Sequence, residues 1–374
     1  MIGIEGEFLF SFSLVDYTNI VFTDDLLSFT VIETCGSPVL PYFELSFTLK
    51  NKADLEYFND SSVISVQLGK NSNDLKDIQF AVKKVLLSPS QESVCTVILR
   101  GVYNNQAYLV NTLSEDYNDT SYNVISQIVK RNKFNFKSNV NNTNDSMLWQ
   151  QASESDFKFL HNVWKHSYIN DNACTLIGID LDNNFIFKNL IPDIASNNIA
   201  YTFTTADSPG DEIQVHSDFK TANNSTVTNA FGGYIREKYV YNVSKREYEL
   251  IKAPDTIPVI SESAYNNTNA NLEKNTGFRY LTPFMHENYY KAELININRM
   301  LAISSSQIWV TIFTEYNNVH PLDLVMLLAK DGNNQSCMQY SGLYVVTKVV
   351  RTVQDRRMVT SVLLSRESFN KMRG

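Results

Sequence analysis

The sequence has little of what marks a secreted, membrane or metal-binding protein. Its 374 residues include four cysteines that lie far apart and form no CxxC pair, namely Cys35, Cys95, Cys174 and Cys337. Such cysteines are typical of reduced core thiols in a protein made in a cytoplasm. No apolar run is long enough to span a bilayer, and the start of the chain has no basic stretch before an apolar one. We therefore expect no membrane insertion and no secretory signal.

Positive charge is also scarce. The 32 lysines and arginines against 40 aspartates and glutamates give a formal net charge of −8. Binding to nucleic acid by phosphate neutralisation requires a surplus of positive charge, so this class of function is not expected. An acidic surface is compatible with DNA that passes by without being bound, and equally with an ordinary acidic protein.

The common catalytic and cofactor motifs are missing as well. His161 and His166 are five residues apart and do not form HExxH, and the one Gly-Gly pair has no phosphate-binding context. Residues 180–184 resemble the start of an EF-hand loop, but Phe185 occupies the position of the required glycine, and a hairpin turn is favoured. There is no GxSxG, and nothing pairs two carboxylates as in a glycosidase. We predict no catalytic residue, no metal site and no cofactor.

The first 114 residues have the pattern of a β domain. Six segments alternate apolar and polar residues or are rich in β-branched and aromatic side chains, with turn residues between them. These segments are residues 8–14, 27–32, 43–49, 63–68, 80–87 and 93–102. Six strands at this spacing are typical of a small antiparallel barrel or sandwich.

The pattern changes in residues 115–198, where two short amphipathic helices are predicted before a β-hairpin. The first helix begins after Thr120 and ends in basic residues. The second has Ser153 as its N-cap, with Asp156 reaching back to it, and has a wide apolar face. The hairpin spans residues 175–190. This succession predicts a small α/β domain.

Residues 199–374 return to β structure after a less regular stretch. A polar excursion is expected at about 252–295, with a short helix at 287–294. Other predicted features are strands at 201–203, 213–215 and 308–313, a tight bend at 231–234, a strand or short helix at 322–328, and a hairpin of residues 342–350 and 358–366. The sequence thus predicts an α+β protein that is mainly β.

A motif in the middle domain carries a family resemblance. The second predicted helix contains its residues in the order Q-x-x-E-S-D-F-x-F-L: Trp149, Gln151, Glu154, Asp156, Phe157, Phe159, Leu160 and Trp164. Near the end, Gly342 and Tyr344 follow a His-Pro-Leu-Asp segment and precede a strand that ends in Leu-Leu-Ser-Arg. These residues in this order resemble the phage baseplate hub family, which also forms the N-terminal half of VgrG-type spikes. Leu322 stands where family members usually have glycine.

The resemblance implies a fold and a role. The fold is two similar antiparallel tube-forming β-barrels, at 1–114 and 199–374, which flank the α/β domain at 115–198. The role is that of a non-enzymatic homotrimer, a pseudo-six-fold adaptor that joins the tail tube to the central spike and lines the DNA channel. The implied partners are the tail tube protein, the spike protein, other baseplate proteins and the tape-measure protein. The expected location is the virion, after synthesis in the cytoplasm of the host bacterium.

Other functions remain open. The hub of a secretion spike or tailocin would have the same fold. A cell-wall polysaccharide hydrolase predicts a cleft that holds carboxylates with perturbed pKa values. A carbohydrate-binding module predicts an exposed aromatic platform, for which Tyr289-Tyr290 is the only tyrosine doublet in the chain.

Overall fold

The structure is a computed structural model that describes most of the chain. The described residues are 9–22, 26–49, 52–69, 75–89, 95–206, 210–216, 220–224, 237–254, 259–260, 279–312, 318–330, 335–337, 339–355 and 357–368. Within these ranges, no helix has the length and apolar character needed to cross a membrane.

Seven strands form the first β region. They pair antiparallel in the spatial order β3-β4-β7-β6-β5-β1-β2. Their bounds are β1 (Leu9–Leu14), β2 (Tyr17–Phe22), β3 (Leu26–Thr34), β4 (Tyr42–Leu49), β5 (Val63–Gly69), β6 (Lys76–Pro89) and β7 (Cys95–Tyr103), with a 3-10 helix at Lys52–Tyr57. The six predicted strands are confirmed. The sequence reading missed β2, which only a two-residue turn separates from β1.

Phenylalanines form the centre of this region. The Phe43 and Phe80 ring centroids are 4.8 Å apart, and those of Phe12 and Phe47 are 5.0 Å apart. All four side chains are buried because alternate positions of each strand face inward. Removing one such ring typically costs about 3–5 kcal/mol.

The middle region contains the predicted helix pair and hairpin. Its elements are α1 (Gln106–Val110), β8 (Thr112–Asp119), α2 (Ser121–Arg131), β9 (Asn135–Ser138), β10 (Met147–Ser155), α3 (Asp156–Lys165), β11 (Thr175–Ile179), β12 (Asn184–Asn189) and α4 (Leu190–Ala195). Strands β8 and β10 form one ribbon, and β11, β12 and β9 form a second sheet. The helix α1 is grouped with this region because its Tyr108 packs against Phe134 and Phe157. The domain boundaries at residues 114 and 198 stay a prediction.

The predicted start of the second helix was wrong. The helix begins at Asp156, and Ser155 is its N-cap residue. Ser153 lies in β10 at a bulge, with a φ of 53°, and its amide donates to Ser114 Oγ at 3.2 Å. The ladder between β8 and β10 supplies backbone hydrogen bonds that override the local capping preference. The motif residues before Asp156 are therefore on a strand.

The second β region follows in residues 201–366. Its elements are β13 (Tyr201–Thr204), β14 (Ile213–Gln214), β15 (Lys220–Asn224), β16 (Glu237–Asn242), β17 (Glu247–Lys252), β18 (Tyr280–Leu281), α5 (Tyr289–Ile303), β19 (Ser306–Ile312), β20 (Leu324–Leu328), β21 (Gly342–Gln354) and β22 (Arg357–Arg366). Seven of these strands pair in the order β14-β13-β20-β21-β22-β19-β15. The Val215 amide donates to Thr204 O at 2.8 Å and the His216 amide to Thr311 O at 2.9 Å. The second bond places the residues after β14 against β19, next to the other end of the row.

Pairing in the second β region is mixed, whereas the family resemblance implies an antiparallel barrel. Strand β13 runs parallel to β14 and to β20, and the other pairs of this row are antiparallel. The parallel pair of β13 with β20 is of the kind that a long crossover connection makes. The connection from β13 to β20 contains the β17-β16-β18 sheet and α5, which supplies that length.

The two β regions are parts of one sheet. Strand β21 pairs antiparallel with β3, so 14 of the described strands form a single hydrogen-bonded sheet. The fold is α+β and mainly β, as predicted, with the helices concentrated in the middle region and in α5.

The polar excursion is described only in part. The predicted tight bend at 231–234 lies outside the described residues, as do residues 255–258 and 261–278. The predicted short helix is confirmed and is longer, since α5 runs from Tyr289 to Ile303. The amides of Val259 and Ile260 both donate to Glu367 Oε1, the latter at 2.7 Å, which ties this part of the excursion to the end of β22.

Candidate functional site

The motif residues of the middle region meet where β10 turns into α3. The buried Asp156 carboxylate accepts hydrogen bonds from Arg131, from Gln151 Nε2 at 2.9 Å and from Asn132 Nδ2 at 2.6 Å. Gln151 Nε2 also donates to the Glu154 carbonyl oxygen at 2.9 Å. A carboxylate surrounded by donors in this way is a structural anchor, because its oxygens are already satisfied.

Arg131 connects this anchor to a third element. Its guanidinium pairs with Glu115 and donates to the Tyr117 hydroxyl at 2.9 Å, both on β8. Hydrogen bonds from Tyr117 and Arg131 lower the pKa of Glu115, while burial and Glu115 raise the pKa of Tyr117 to about 12. One guanidinium thus holds α2, β8 and α3 together.

The two motif tryptophans are buried, and each donates one hydrogen bond. Trp149 Nε1 donates to the Asp119 carbonyl at 3.0 Å, and Trp164 Nε1 donates to the Thr175 carbonyl at 3.0 Å. The first bond joins β10 to the end of β8, and the second joins α3 to β11. Their large apolar area is therefore buried without an unsatisfied donor.

The remaining apolar motif residues complete the same core. Phe159 stacks on Tyr117 with ring centroids 5.7 Å apart, and Phe157 meets Tyr108 edge-on at 6.2 Å. Leu160 is fully buried. Eight of the ten predicted motif residues thus lie on β10 and α3, where they act in packing and in hydrogen bonding.

Gly342 and Tyr344 lie apart from the junction, in β21. Gly342 has a φ of 135°, and Tyr344 is buried in the core of the second β region. The Tyr344 hydroxyl donates to the Tyr340 carbonyl at 2.7 Å, and the Arg366 guanidinium lies over its ring at 4.4 Å. The family role of all ten residues stays a prediction.

A buried ion pair that sequence reasoning missed connects the two β regions. Glu33 on β3 is 0% exposed and Arg351 on β21 is 1% exposed, and the two side chains are in contact. The Leu181 amide donates to Glu33 Oε1 at 3.0 Å, and Arg351 Nη2 donates to the Val319 carbonyl at 2.6 Å. Burial lowers the pKa of Arg351 to about 9, so the guanidinium is still a cation at neutral pH. The signal available in the sequence was the alternation, since Arg351 stands between Val349 and Val353 on the buried face of its strand. Glu33 likewise continues the buried face of Phe29 and Val31.

His320 extends this pair to the β11–β12 hairpin. Its Nδ1 is 3.4 Å from Glu33 Oε1, and its Nε2 is 3.4 Å from Asp182 Oδ2. Lys76 Nζ on β6 is 2.8 Å from Asp182 Oδ1. Hydrogen bonds from His320 and Lys76 hold the pKa of Asp182 well below its usual range. The cluster joins both β regions to the middle region.

The hairpin turn explains why residues 180–184 resemble a calcium loop. Asp180 Oδ1 accepts from the amides of Asp182 and Asn184, each at 2.9 Å, and Asn183 has a φ of 60°. The prediction of a turn is confirmed. In the described part of the chain, no group of three or more His, Cys, Asp and Glu side chains could hold a metal ion.

A second buried carboxylate connects α5 to the middle region. Glu293 contacts Lys238 on β16, and its Oε1 is 2.6 Å from Lys165 Nζ at the end of α3. Its Oε2 is 3.8 Å from His166 Nε2. Burial alone raises the pKa of Glu293, but the neighbouring His166, Lys165 and Lys238 side chains lower it overall.

Leu322 occupies the position where the hub family usually has glycine, and it has a left-handed backbone. Its φ is 73°, its side chain is 1% exposed, and its amide donates to the Val346 carbonyl at 2.8 Å. A branched side chain pays about 1–2 kcal/mol of strain in this conformation. The buried isobutyl group contributes more than that, which explains how leucine is accommodated.

Substitutions at Leu322 should reverse the usual order of alanine and glycine. Leu322→Ala is expected to lower the free energy of unfolding by about 2–5 kcal/mol, because a buried side chain is lost. Leu322→Gly loses the same side chain but relieves the strain, so it should be about 1 kcal/mol more stable than Leu322→Ala. Chemical denaturation of both variants tests this, and a glycine variant less stable than the alanine variant would contradict it.

Three histidines lie in or near the C-terminal half of α3, in an environment that disfavours their charged form. Burial lowers the pKa of His161, His166 and His286. His286 Nε2 donates to the His166 carbonyl at 3.0 Å, which leaves Nδ1 buried with no partner among the described residues. A proton on that nitrogen would have no acceptor.

Acidification from about pH 7.5 to about pH 5 is therefore expected to lower the thermal midpoint. With folded-state pKa values below the unfolded value near 6.5, the unfolded state binds more protons in this interval. The contribution of these neutral histidines to the free energy of unfolding is fully present above about pH 6.5. It is lost as the pH falls towards their folded-state pKa values, by at most about 1.4 kcal/mol per pH unit for each histidine. The carboxylates with lowered pKa values change the free energy of unfolding only below about pH 4.5.

Calorimetry at both pH values tests this, with His286→Gln as the comparison. The variant should show a smaller loss than the wild type because one titrating group is gone. Equal midpoints for the wild type at the two pH values would be inconsistent with the expected linkage.

Comparison with known proteins was made by sequence and by structure. No protein-family model and no curated protein sequence matches the chain. A tail protein from Neisseria meningitidis MC58 matches in structure with a TM-score of 0.57 and 8% identity, over 96% of this chain and 97% of that one. The 43 kDa tail protein of prophage MuSo2 from Shewanella oneidensis matches with a TM-score of 0.56 and 12% identity, over 97% of each chain.

A third structure extends the likeness to secretion machinery. An E. coli component of the type VI secretion system, itself similar in structure to the T4 bacteriophage tail proteins gp27 and gp5, matches with a TM-score of 0.50. The identity is 10%, over 97% of this chain and 79% of that one. The chain thus has the fold of phage tail proteins of this kind. The predicted resemblance is confirmed at the level of the fold.

Proposed function

We propose that the protein is the structural baseplate hub of a phage tail, a homotrimer that joins the tail tube to the central spike. The observation that carries this proposal is the β3–β21 pair, which places two β regions of one chain in a single sheet. Three such chains in a closed ring would present six β units to a six-fold tube and three subunits to a three-fold spike. The buried Glu33–Arg351 pair would hold the two β units of each chain in fixed relation.

The partners follow from this position. The tail tube protein would contact one end of the ring and the spike protein the other, and the middle region would contact other baseplate proteins. The tape-measure protein and DNA would pass through the channel. The net charge of −8 favours passage of DNA without binding. The protein would be a non-enzymatic part of the virion, made in the cytoplasm of the host bacterium.

The hub of a secretion spike or a tailocin is a second candidate. The similarity to the type VI secretion component favours it, since the fold is shared. Co-purification with DNA-filled particles would support the phage hub, and co-purification with DNA-free particles would support this alternative. A polysaccharide hydrolase remains the alternative from another class, and clearing of a cell-wall suspension by the purified protein would support it.

The experiment that tests the proposal is the mass of the purified chain in solution, alone and with its candidate spike protein. We expect a particle of three times the 42.7 kDa chain mass, or a chain that forms a 3:3 complex with the spike. A chain that stays monomeric with the spike and tube proteins would contradict the hub proposal.

A further inference from the structure

The outer face of the β17-β16-β18 sheet is aromatic and exposed. Its residues, here called the tyrosine face, are Tyr239, Tyr241, Tyr248, Leu250 and Tyr280. They are neighbours across strands, since Tyr241 pairs with both Tyr248 and Tyr280, and Tyr239 pairs with Leu250. Tyr248 is 65% exposed and Tyr280 is 54% exposed. Aromatic side chains gathered on one open face are a feature of interaction surfaces.

The inner face of the same sheet is anchored to the rest of the chain. Val240 is fully buried in a small core with Leu281 and with Tyr290 of α5. Lys238 pairs with Glu293 of α5, as described above. The outer face is thus presented on a supported sheet, and the tyrosines need little reordering to meet a partner.

Two pairs of opposite charges lie at the ends of the sheet that carries the tyrosine face. Glu237 and Lys252 are opposite each other at one end and pair at 3.3 Å, and Lys245 and Glu249 pair at 2.6 Å near the turn. Two copies of a chain with a net charge of −8 repel each other over most of their surfaces. A neutral aromatic face is where such copies can approach at least electrostatic cost, and tyrosine is enriched in the centres of protein interfaces.

The ring geometry favours a protein partner over a sugar. The Tyr241 ring lies at 62° to that of Tyr248 and at 81° to that of Tyr280. Rings tilted in this way do not present the common plane on which successive sugar rings could stack. The doublet considered for a carbohydrate platform does not supply one either, since Tyr290 is only 6% exposed and Tyr289 stacks on His166 at 3.7 Å.

We propose that the tyrosine face is a contact between subunits of this protein, in which it packs against a different surface of the neighbouring copy. The inference rests on the proposed trimer, because a closed three-fold ring joins two unlike surfaces of each subunit. The exposed parts of these side chains amount to roughly 400 Å², about half of what one partner contributes to a stable interface. The tyrosine face would therefore be the apolar centre of a larger contact.

The test is the trimer dissociation of a variant in which Tyr248→Glu and Tyr280→Glu are combined. Charge placed in the centre of the contact should raise the concentration at which half of the trimer dissociates by at least about 100-fold. Tyr248→Phe, which keeps the ring, should change it by less than about tenfold. Val110→Glu serves as the matched control, since Val110 is 61% exposed on α1, outside this sheet. Sedimentation over a concentration series measures all four proteins, and circular dichroism verifies that each is folded.

The outcomes separate this inference from the proposed function. A wild type that never trimerises overturns both. If the wild type is a trimer and the trimer of the double variant is equally stable, the inference alone is overturned. The same holds if the double variant loses only its binding to the spike or to a glycan. Equal weakening by Val110→Glu also overturns the inference, because the effect would then not be specific to the tyrosine face. Weakening by the double variant alone supports it.

Discussion

Replacing Arg351 with methionine is expected to lower the free energy of unfolding by about 3–5 kcal/mol. The change leaves the Glu33 carboxylate, which is 0% exposed, without its cation, and an uncompensated buried charge is strongly destabilising. Methionine keeps much of the volume of the side chain, so the loss measures charge more than packing. Chemical denaturation followed by tryptophan fluorescence is the measurement.

Two further variants make this prediction specific. Arg100→Met breaks the Glu44–Arg100 pair, whose side chains are 45% and 50% exposed, and it should cost at most about 1 kcal/mol. Combining Glu33→Met with Arg351→Met removes both buried charges and should be more stable than Arg351→Met alone. If Arg351→Met cost no more than Arg100→Met, the pair would not be the junction between the β regions that its burial indicates.

Replacing Asp156 with alanine is expected to cost about 2–3 kcal/mol. The change removes the acceptor shared by Arg131, Gln151 and Asn132, and it leaves the buried Gln151 amide without one of its partners. The expected loss is smaller than at Arg351, because the Arg131 side chain is 30% exposed and water can solvate it.

Glu115→Gln is the matched control for this anchor. Glu115 binds the same guanidinium from the exposed side, where its side chain is 44% exposed, so the change should cost at most about 1 kcal/mol. Denaturation curves of the two variants should therefore separate clearly. An Asp156→Ala variant as stable as Glu115→Gln would refute the role of Asp156 as the anchor of the β10–α3 junction.

Local patterns were sufficient to predict most of the elements. Alternation of apolar and polar residues identified six strands of the first β region, because one face of each strand must be buried. The helix after Thr120 was also found where expected. Its first amides, however, are satisfied from a distance, since Ser121 N donates to Asp145 Oδ1 at 2.9 Å and Tyr122 N to Thr143 Oγ1 at 3.0 Å. Local sequence thus predicted the position of this helix but not its capping partners.

Features that depend on distant partners could not be predicted in this way. Ser153 has the local signature of a helix N-cap, yet pairing with β8 makes it part of a strand. Strand β13 reads as any short strand, and only the return of the chain as β20 makes the pair parallel. The same holds for the tyrosine face, whose members come from three strands of which β18 lies far along the chain.

The sequence by itself determined the composition of the core, the order of strands and helices, and the hub-like motif, because each depends on neighbouring residues. Tertiary structure decided which charges would be buried together. Glu33 and Arg351 are 318 positions apart in the sequence, and the β3–β21 pair brings them into contact. Desolvation then makes each charge depend on the other, since neither can be buried alone without a large cost.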